Sequence, residues 1–430
     1  MLFTPQRLFG ETGSSPNTLT HEPFLERARL QREQESDVSA RLALGAYVVA
    51  RLVDKLLTLD HDDEQLEGFR WQLEAVRRHI NELPADTPET AHLAGVVAAV
   101  PAQGKPTSGL WMSLTAYAYF LEHEARLQES LELLTLAARS QGDQAPLDDF
   151  AAYALFAARL NRLLARWEAA TSCYSAAEDA ASVIGDAFSV LRGRLGRGSV
   201  HRGQGNFPAA RAAAEDVLRQ AAELGLPEAQ AMAYADLGAI YGAQGLRLEA
   251  LDAQYQAFRL SADTPQQMQA LGNLAIGLSE IGALEAARLG FQIVIRSNAS
   301  IEVRVNALLE LMDLESSVSN RVAFERYRSD VEELGSRMSP RMSVDYHYKV
   351  GVGLARFGQT PRAKASLTIA IELAERNGLN AWYFKVEQAL RELAERSAEQ
   401  SQPRQPSELS ETPTVREMEV GLREYAALTT

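Results

Sequence analysis

The sequence has little of what disulfides, membrane spans or nucleic-acid binding require. Cys173 is the single cysteine among 430 residues, so an internal disulfide is excluded, and we expect this residue in the protein core. No stretch approaches the roughly 18 apolar residues of a transmembrane helix, and the amino terminus lacks the apolar run of a signal peptide. The formal net charge of −14 at pH 7 opposes binding to phosphate backbones and anionic lipid. These absences predict a cytoplasmic protein that binds neither nucleic acid nor membranes.

Patterns that support catalysis or metal binding are also missing. No two of the seven histidines are spaced for an i, i+4 ligand pair or an HExxH site. The glycine-rich run at 193–205 lacks the glycine, lysine and serine ending of a phosphate-binding loop, so we interpret it as a loosened helix. His61 lies among acidic residues, but Asp and His before a helix more often cap it. We predict no enzymatic activity, no metal and no cofactor.

A helical hairpin of about 40 residues recurs along the chain. The clearest copy lies between Met232 and Leu260, where Gly245 separates two runs of helical periodicity. Gly238 and Ala250 are small enough for a tight helix crossing, because packed helix axes lie only about 8–10 Å apart. Gly245 suits the left-handed residue that commonly follows a helix.

Three columns of residues repeat in one register. The spacings between successive units are 40, 40, 40, 37, 36 and 40 residues, which predicts seven hairpins. The crossing column consists of Ala118, Ala158, Gly198, Gly238, Ala275, Leu311 and Gly351. The turn column consists of Ala125, Ala165, Gly205, Gly245, Gly282, Val318 and Gly358. The third column, twelve residues after the first, consists of Ser130, Ala170, Ala210, Ala250, Ala287, Ala323 and Ala363.

The hairpins resemble the tetratricopeptide repeat, a unit of about 34 residues with W-x2-L-G-x2-Y followed by alanine and aromatic positions. The best match has Tyr234, Leu237, Gly238 and Tyr241, and the resemblance covers about 109–377. The longer spacing is more similar to the repeats of bacterial signalling regulators than to those of co-chaperones. The resemblance implies an all-α fold, a right-handed α-solenoid of about seven hairpins, which binds a protein or peptide in its concave groove.

Composition outside the repeats predicts helical caps and flexible segments. The amino-terminal arm and the linker near the carboxyl terminus are too polar to bury a core, whereas the other flanking segments have helical periodicity. Three helices before seven repeats resemble the aspartate-phosphatase and peptide-pheromone receptor regulators of bacteria, and a plain helical cap is the alternative. The predicted organisation is a flexible arm at 1–36, an N-terminal helical cap at 37–100, repeats at 109–377, a capping helix at 378–396, a linker at 397–413 and an amphipathic tail helix at 414–430.

Arginine is concentrated in the first helices of the second and third repeats of an otherwise acidic chain. In tetratricopeptide repeats, positions 2, 5, 9 and 12 of the first helix line the groove, and the resemblance places four of these arginines there. Guanidinium groups hold carboxylates in a bidentate manner, so the partner segment is predicted to be acidic. The candidate groove residues are Arg159, Arg162, Arg192, Arg202, Asp236 and Asn273.

The tail carries an apolar stripe of Val415, Met418, Leu422 and Tyr425. We expect it to dock in a groove of another protein or of a second copy of this chain, so a homodimer through the tail helix is one expected assembly. Self-inhibition is the alternative, in which the tail occupies the arginine-rich groove of its own chain. The linker spans about 50 Å when fully extended, and the second and third repeats lie about 30–50 Å from it along the array. The tail would need nearly the full extension to reach them, so we disfavour self-inhibition.

Two functions remain open from the sequence. The first is a non-enzymatic scaffold or adaptor that binds a protein or peptide segment in a static groove. The second is a peptide-sensing regulator whose superhelix changes when the ligand binds. The radius of gyration distinguishes them, because a scaffold changes little on binding and a switch becomes more compact.

Overall fold

The computed structural model describes residues 20–33, 37–59, 63–102, 106, 108–141, 146–261, 264–334, 338–395 and 407–429. All regular structure within these ranges is helical, which confirms the predicted all-α fold class. The chain divides into two compact units, one up to Asn206 and one from Phe207. None of the described helices is both long and apolar enough to cross a membrane.

The first unit contains nine of the described α-helices. They are α1 (Glu22–Glu33), α2 (Asp37–Leu57), α3 (Asp63–Asn81), α4 (Pro88–Ala99), α5 (Ser108–His123), α6 (Leu127–Gln141), α7 (Leu147–Leu163), α8 (Trp167–Ile184) and α9 (Ala187–Gly203). The second unit contains α10 (Phe207–Glu223), α11 (Pro227–Ala243), α12 (Arg247–Leu260), α13 (Thr264–Glu280), α14 (Leu284–Arg296), α15 (Ile301–Ser317), α16 (Arg321–Glu332), α17 (Pro340–Arg356), α18 (Thr360–Arg376), α19 (Asn380–Glu395), a short 3-10 helix (Glu408–Glu411) and α20 (Pro413–Thr429).

Most repeat helices pack in consecutive pairs, as the hairpin pattern predicts. The pairs are α5 with α6, α7 with α8, α11 with α12, α13 with α14, α15 with α16 and α17 with α18. Six residues of the predicted turn column have positive φ: Ala125 (60°), Ala165 (56°), Gly205 (78°), Gly245 (76°), Gly282 (83°) and Gly358 (72°). The positive φ turns the chain so that a following backbone N–H bonds to a carbonyl in the last turn of the first helix. One example is the 2.9 Å hydrogen bond from Leu246 N–H to Tyr241 O.

The sequence register is wrong by one residue in the sixth hairpin. Ser319 has the positive φ of 62°, whereas Val318, predicted for the turn, has a φ of −100°. Correspondingly, Phe324 rather than Ala323 is the fully buried residue near the start of α16. The large ring fits because Gly353 on α17 has no side chain, and a Cβ there would lie 2.4 Å from Phe324 Cε2.

The crossing of α11 and α12 also differs from the prediction. Ala250 is only partly buried, and Gln254 fills the space beside Gly238. A Cβ at Gly238 would lie 2.4 Å from Gln254 Nε2, and this amide donates a 3.3 Å hydrogen bond to Ala235 O. A long side chain that folds back onto the neighbouring helix therefore replaces the expected small residue.

The predicted flexible arm is wrong over 22–33, where the structure has α1; residues 1–19 lie outside the described ranges. Phe24 is fully buried in the core of the first unit, and the Arg27 guanidinium donates a 3.2 Å hydrogen bond to Glu89 on α4. The polar composition of α1 did not indicate that one apolar side chain is fully buried or that one arginine forms a partly buried ion pair. The three helices predicted for the N-terminal cap are present as α2, α3 and α4.

The glycine-rich run forms most of α9, a continuous helix. Its glycines allow α8 to approach closely, since a Cβ at Gly196 would lie 2.0 Å from the Tyr174 ring and a Cβ at Gly193 would lie 2.5 Å from the Glu178 side chain. These glycines therefore have a packing role. Cys173 on α8 is fully buried, which confirms its predicted place in the core.

The tail helix docks on its own chain in the structure, on the second unit, and its predicted docking on another molecule stays a prediction. Val415, Met418 and Leu422 are buried against the second unit, and α20 packs on α14 and α12. Tyr425 packs edge-on against Phe258 at a centroid distance of 5.0 Å. The predicted apolar stripe is the face of α20 that packs on the second unit. An amphipathic pattern alone does not indicate which molecule its apolar face contacts.

Candidate functional site

The second unit contains a groove lined by the first helices of successive hairpins. We define the inner groove as the cavity of about 570 Å³ bordered by α13, α15, α17 and α19. Its lining includes residues from equivalent helical positions on the first three of these helices, such as Asn273, Glu310 and Lys349. Repetition of one hairpin thus places one column of residues along one surface.

Apolar side chains and carboxamides alternate in the inner groove. Ile276, Val303, Ala307 and Val352 contribute apolar surface. Gln269, Asn273 and Asn306 contribute carboxamides, and Gln269 Nε2 donates a 3.4 Å hydrogen bond to Asn273 Oδ1. Each carboxamide can donate and accept a hydrogen bond, as a peptide backbone requires.

Ion pairs neutralise two cations of the inner groove. Lys349 Nζ lies 2.7 Å from Glu310 Oε1 and 3.0 Å from Asp345 Oδ2. Burial by itself lowers the pKa of Lys349, but the two carboxylates outweigh it and hold the pKa well above its usual value. Arg356 Nη1 is likewise 2.7 Å from Asp313 Oδ1 and donates a hydrogen bond to Ser316 Oγ at 2.6 Å. The Lys349–Glu310 and Arg356–Asp313 pairs join α15 to α17.

Lys385 on α19 has a different environment. Its Nζ lies 4.5 Å from the centre of the Tyr348 ring and 4.3 Å from the Trp382 ring, within cation–π range. Among the described residues, no carboxylate forms an ion pair with Lys385, and burial lowers its pKa. We call Tyr348, Trp382 and Lys385 the aromatic shelf.

Of the six predicted groove residues, Asn273 alone lines the inner groove. Arg159 and Arg162 lie on α7 and Arg192 and Arg202 on α9, all in the first unit, while Asp236 lies on α11. Arg159 already forms a 2.5 Å ion pair with Glu122, and its guanidinium lies 5.2 Å from the Phe156 ring centre. Arg192 lies over Phe188 at 5.9 Å.

Sequence reasoning did not identify Lys349, Asn306 or the aromatic shelf. The turn of the sixth hairpin lies at Ser319, one residue later than predicted. With that shift, Glu310 and Lys349 occupy the helical position of Asn273 in their own repeats, so the correct register would have identified them. Trp382 and Lys385 lie on α19, the helix that the sequence predicts only as the C-terminal cap of the repeats. Among the described residues, no group of histidine, cysteine or acidic side chains is arranged to hold a metal ion.

No family model matches the chain, and no curated protein matches it. Among solved structures, the chain is similar to a tetratricopeptide repeat protein from Parabacteroides merdae, with 14% identity over 66% of this chain and 98% of that chain and a TM-score of 0.38. It is similar to the apo quorum sensor NprR from B. thuringiensis, with 14% identity, coverages of 85% and 91% and a TM-score of 0.41. It is also similar to a signal-transduction ATPase with a tetratricopeptide repeat sensor from Pyrococcus horikoshii, with 12% identity, coverages of 89% and 56% and a TM-score of 0.44.

The local geometry of the structure matches the helical hairpin that the sequence predicts. Consecutive helices form hairpins, and a residue of positive φ follows the first helix of each predicted hairpin. Small residues such as Ala170, Ala287 and Ala363 are fully buried within the second helices. The chain is built from consecutive helical hairpins, as the repeat pattern of the sequence predicts.

Proposed function

We propose that the inner groove binds an extended peptide or protein segment. The observation that supports this is the combination of apolar surface with carboxamides on neighbouring helices, at Gln269, Asn273 and Asn306. The carboxamides match the N–H and C=O groups of an extended backbone, and the apolar surface accommodates side chains. The proposed role is that of a non-enzymatic adaptor.

The α19 end of the inner groove is a second candidate site for an acidic group of the partner segment, beside the arginine-rich face of the first unit. Lys385 forms no ion pair there, and the same holds for Arg341 on α17, within the part of the chain that the structure describes. Glu280 and Glu302 line the other end, on α13 and α15. A segment with its acidic group at α19 and a neutral or basic group at α13 has the complementary charge order.

Peptide selection against the full chain tests this function. A peptide recovered from a random heptapeptide library should bind the wild type and lose about tenfold or more in affinity when Asn273→Ala and Asn306→Ala are combined, because each lost hydrogen bond costs roughly 0.5–1.5 kcal/mol. Gln220→Ala, at a partly exposed residue of α10 outside the inner groove, is the matched control and should bind as the wild type. Equal affinity of the double variant would place the peptide elsewhere.

The second candidate function is the peptide-sensing regulator predicted from the sequence. Its groove chemistry is the same, and the difference lies in the response. Small-angle scattering with the selected peptide should show a lower radius of gyration for a regulator and an unchanged one for an adaptor.

The arginine-rich face of the first unit remains a predicted acidic-segment site, tested by Arg162→Glu combined with Arg192→Glu.

A further inference from the structure

The tail segment 407–425 contacts both ends of α13, the helix that supplies one wall of the inner groove. At the carboxyl end, Ser407 donates two hydrogen bonds to Ile281 O, one from its backbone N–H at 3.2 Å and one from Oγ at 2.6 Å. At the amino end, the Tyr425 hydroxyl donates a 2.9 Å hydrogen bond to Gln267 Oε1. The tail is therefore attached to the chain immediately after α13 and to its first turn.

Between these attachments, α20 fits closely on the second helices of two neighbouring hairpins. Val415, Met418 and Leu422 are buried, and Gly421 faces Tyr255 on α12 so closely that a Cβ there would lie 2.0 Å from the Tyr255 hydroxyl oxygen. The helices α12 and α14 that receive α20 are the second helices of their hairpins, whereas the inner groove is lined mainly by first helices. We call the surface of α12 and α14 under α20 the outer face.

Gln267 connects the outer face with the groove wall. Its Oε1 accepts the Tyr425 hydrogen bond, and its Nε2 donates a 3.3 Å hydrogen bond to Phe258 O on α12. Two residues further along α13, Gln269 lines the inner groove, followed by Asn273. One helix thus carries the tail contacts at its ends and the groove carboxamides between them.

We propose that the outer face is a helix-docking site, and that its occupation by α20 holds α13 in place and thereby sets the affinity of the inner groove. This inference rests on the proposed function for its effect on ligand binding. A wall that is ordered before the ligand arrives costs less conformational entropy on binding, so a docked tail raises the affinity. By linkage, a ligand in the groove tightens tail docking by the same factor.

Charge substitution in the full chain tests the coupling. Leu422→Asp places a carboxylate in the buried docking face and should detach α20, whereas Val420→Asp, at a position 53% exposed on the same helix, is the matched control. In the free protein, amide hydrogen exchange over 264–281 should accelerate at least tenfold for Leu422→Asp and stay unchanged for Val420→Asp. The selected heptapeptide should bind Leu422→Asp at least fivefold more weakly than the control.

A synthetic peptide of residues 407–430 should restore slow exchange and peptide affinity to Leu422→Asp, because it can occupy the vacated outer face. Tyr425→Phe removes only the hydroxyl and should accelerate exchange at the amino end of α13 alone. Such a local effect distinguishes the loss of this contact from a general loss of folding. Wild-type exchange in α13 of Leu422→Asp overturns the proposal, and so does wild-type affinity. If the wild type binds no peptide, the proposed function and the coupling fail together, while hydrogen exchange still decides whether α20 holds α13.

Discussion

Phe324 and Gly353 form a complementary pair in the second unit, with the ring of one occupying the space that a side chain on the other would need. Phe324 is fully buried, and a Cβ added at Gly353 would lie 2.4 Å from its Cε2 and 2.9 Å from its Cζ. The pair joins α16 to α17 and explains why this hairpin departs from the small-residue column. Substituting either residue changes the packing of both.

Gly353→Ala should therefore destabilise the second unit despite the higher helix propensity of alanine. Overpacking of a filled core costs roughly 1–3 kcal/mol. Gly242→Ala is the control, because a Cβ there meets nothing within 4 Å, so it should be neutral or stabilising by up to about 1 kcal/mol. Urea unfolding measures both, and equal midpoints would show that the Phe324 ring moves aside without cost.

Ala165→Gly should stabilise the first unit. Ala165 has a φ of 56°, a conformation that costs a residue with a Cβ roughly 1–2 kcal/mol, and glycine adopts it without that cost. Part of the gain is lost because glycine also raises the entropy of the unfolded chain, so we expect a net gain of up to about 1 kcal/mol. The reverse change, Gly245→Ala at a φ of 76°, should destabilise. Thermal unfolding that moves both variants in the same direction would contradict this account.

The stability of the first unit should fall as the pH falls from about 4.5 to about 2. Burial alone would raise the pKa of Glu89, but Arg126 and Arg27 outweigh it and lower the pKa from 4.5 to about 2. Because the folded pKa is the lower one, the stabilisation is present above the unfolded pKa and disappears as Glu89 is protonated, a loss of roughly 3 kcal/mol.

Glu89→Gln should remove this part of the acid dependence. At neutral pH the variant should lose roughly 3–5 kcal/mol, because Arg126 then remains buried with one carboxylate fewer. Chemical unfolding of the wild type and the variant at pH 2, 3, 4, 5 and 7 measures the effect. Parallel pH profiles for the two proteins would exclude Glu89 as the source.

Cys173 should be inert toward thiol reagents in the folded protein. Its side chain is fully buried, and burial raises the pKa of the thiol to about 12, so almost no reactive thiolate exists at pH 8. Absorbance with a disulfide reagent should show no reaction until denaturant is added, and one equivalent afterwards. Rapid labelling of the native chain would show that α8 opens.

Binding of the selected peptide should depend on Lys385. Lys385→Gln should weaken a peptide with a free carboxylate by about tenfold, since hydrogen bonds to charged groups contribute roughly 1.5–3 kcal/mol, and it should leave an amidated peptide without acidic side chains unaffected. Lys364→Gln on α18 is the exposed control. The wild-type preference for the acidic peptide should decrease as salt rises. Equal losses for both peptides would mean that Lys385 contributes packing, without its charge.

The sequence by itself determined the features that depend on local backbone chemistry. Glycine at Gly205, Gly245, Gly282 and Gly358 marks turns because only glycine adopts a left-handed conformation freely, and the repeat spacing and helix periodicity follow from the same pattern. Asn273 was identified because its repeat has a glycine turn that fixes the register. The apolar stripe of the tail was also identified from the helical spacing of its residues.

The tertiary structure decided what depends on residues distant in sequence. Ser319 is the left-handed turn residue of the sixth hairpin, and in this register Phe324 packs against Gly353 on the next helix. Phe24 anchors α1 and Leu422 anchors α20 in sites assembled from several helices, and no local pattern contains the shape of such sites. The aromatic shelf likewise exists because α17 and α19 bring Tyr348 and Trp382 to within 5.9 Å. Side-chain packing between distant segments selects these arrangements, because one amphipathic pattern is compatible with many apolar surfaces.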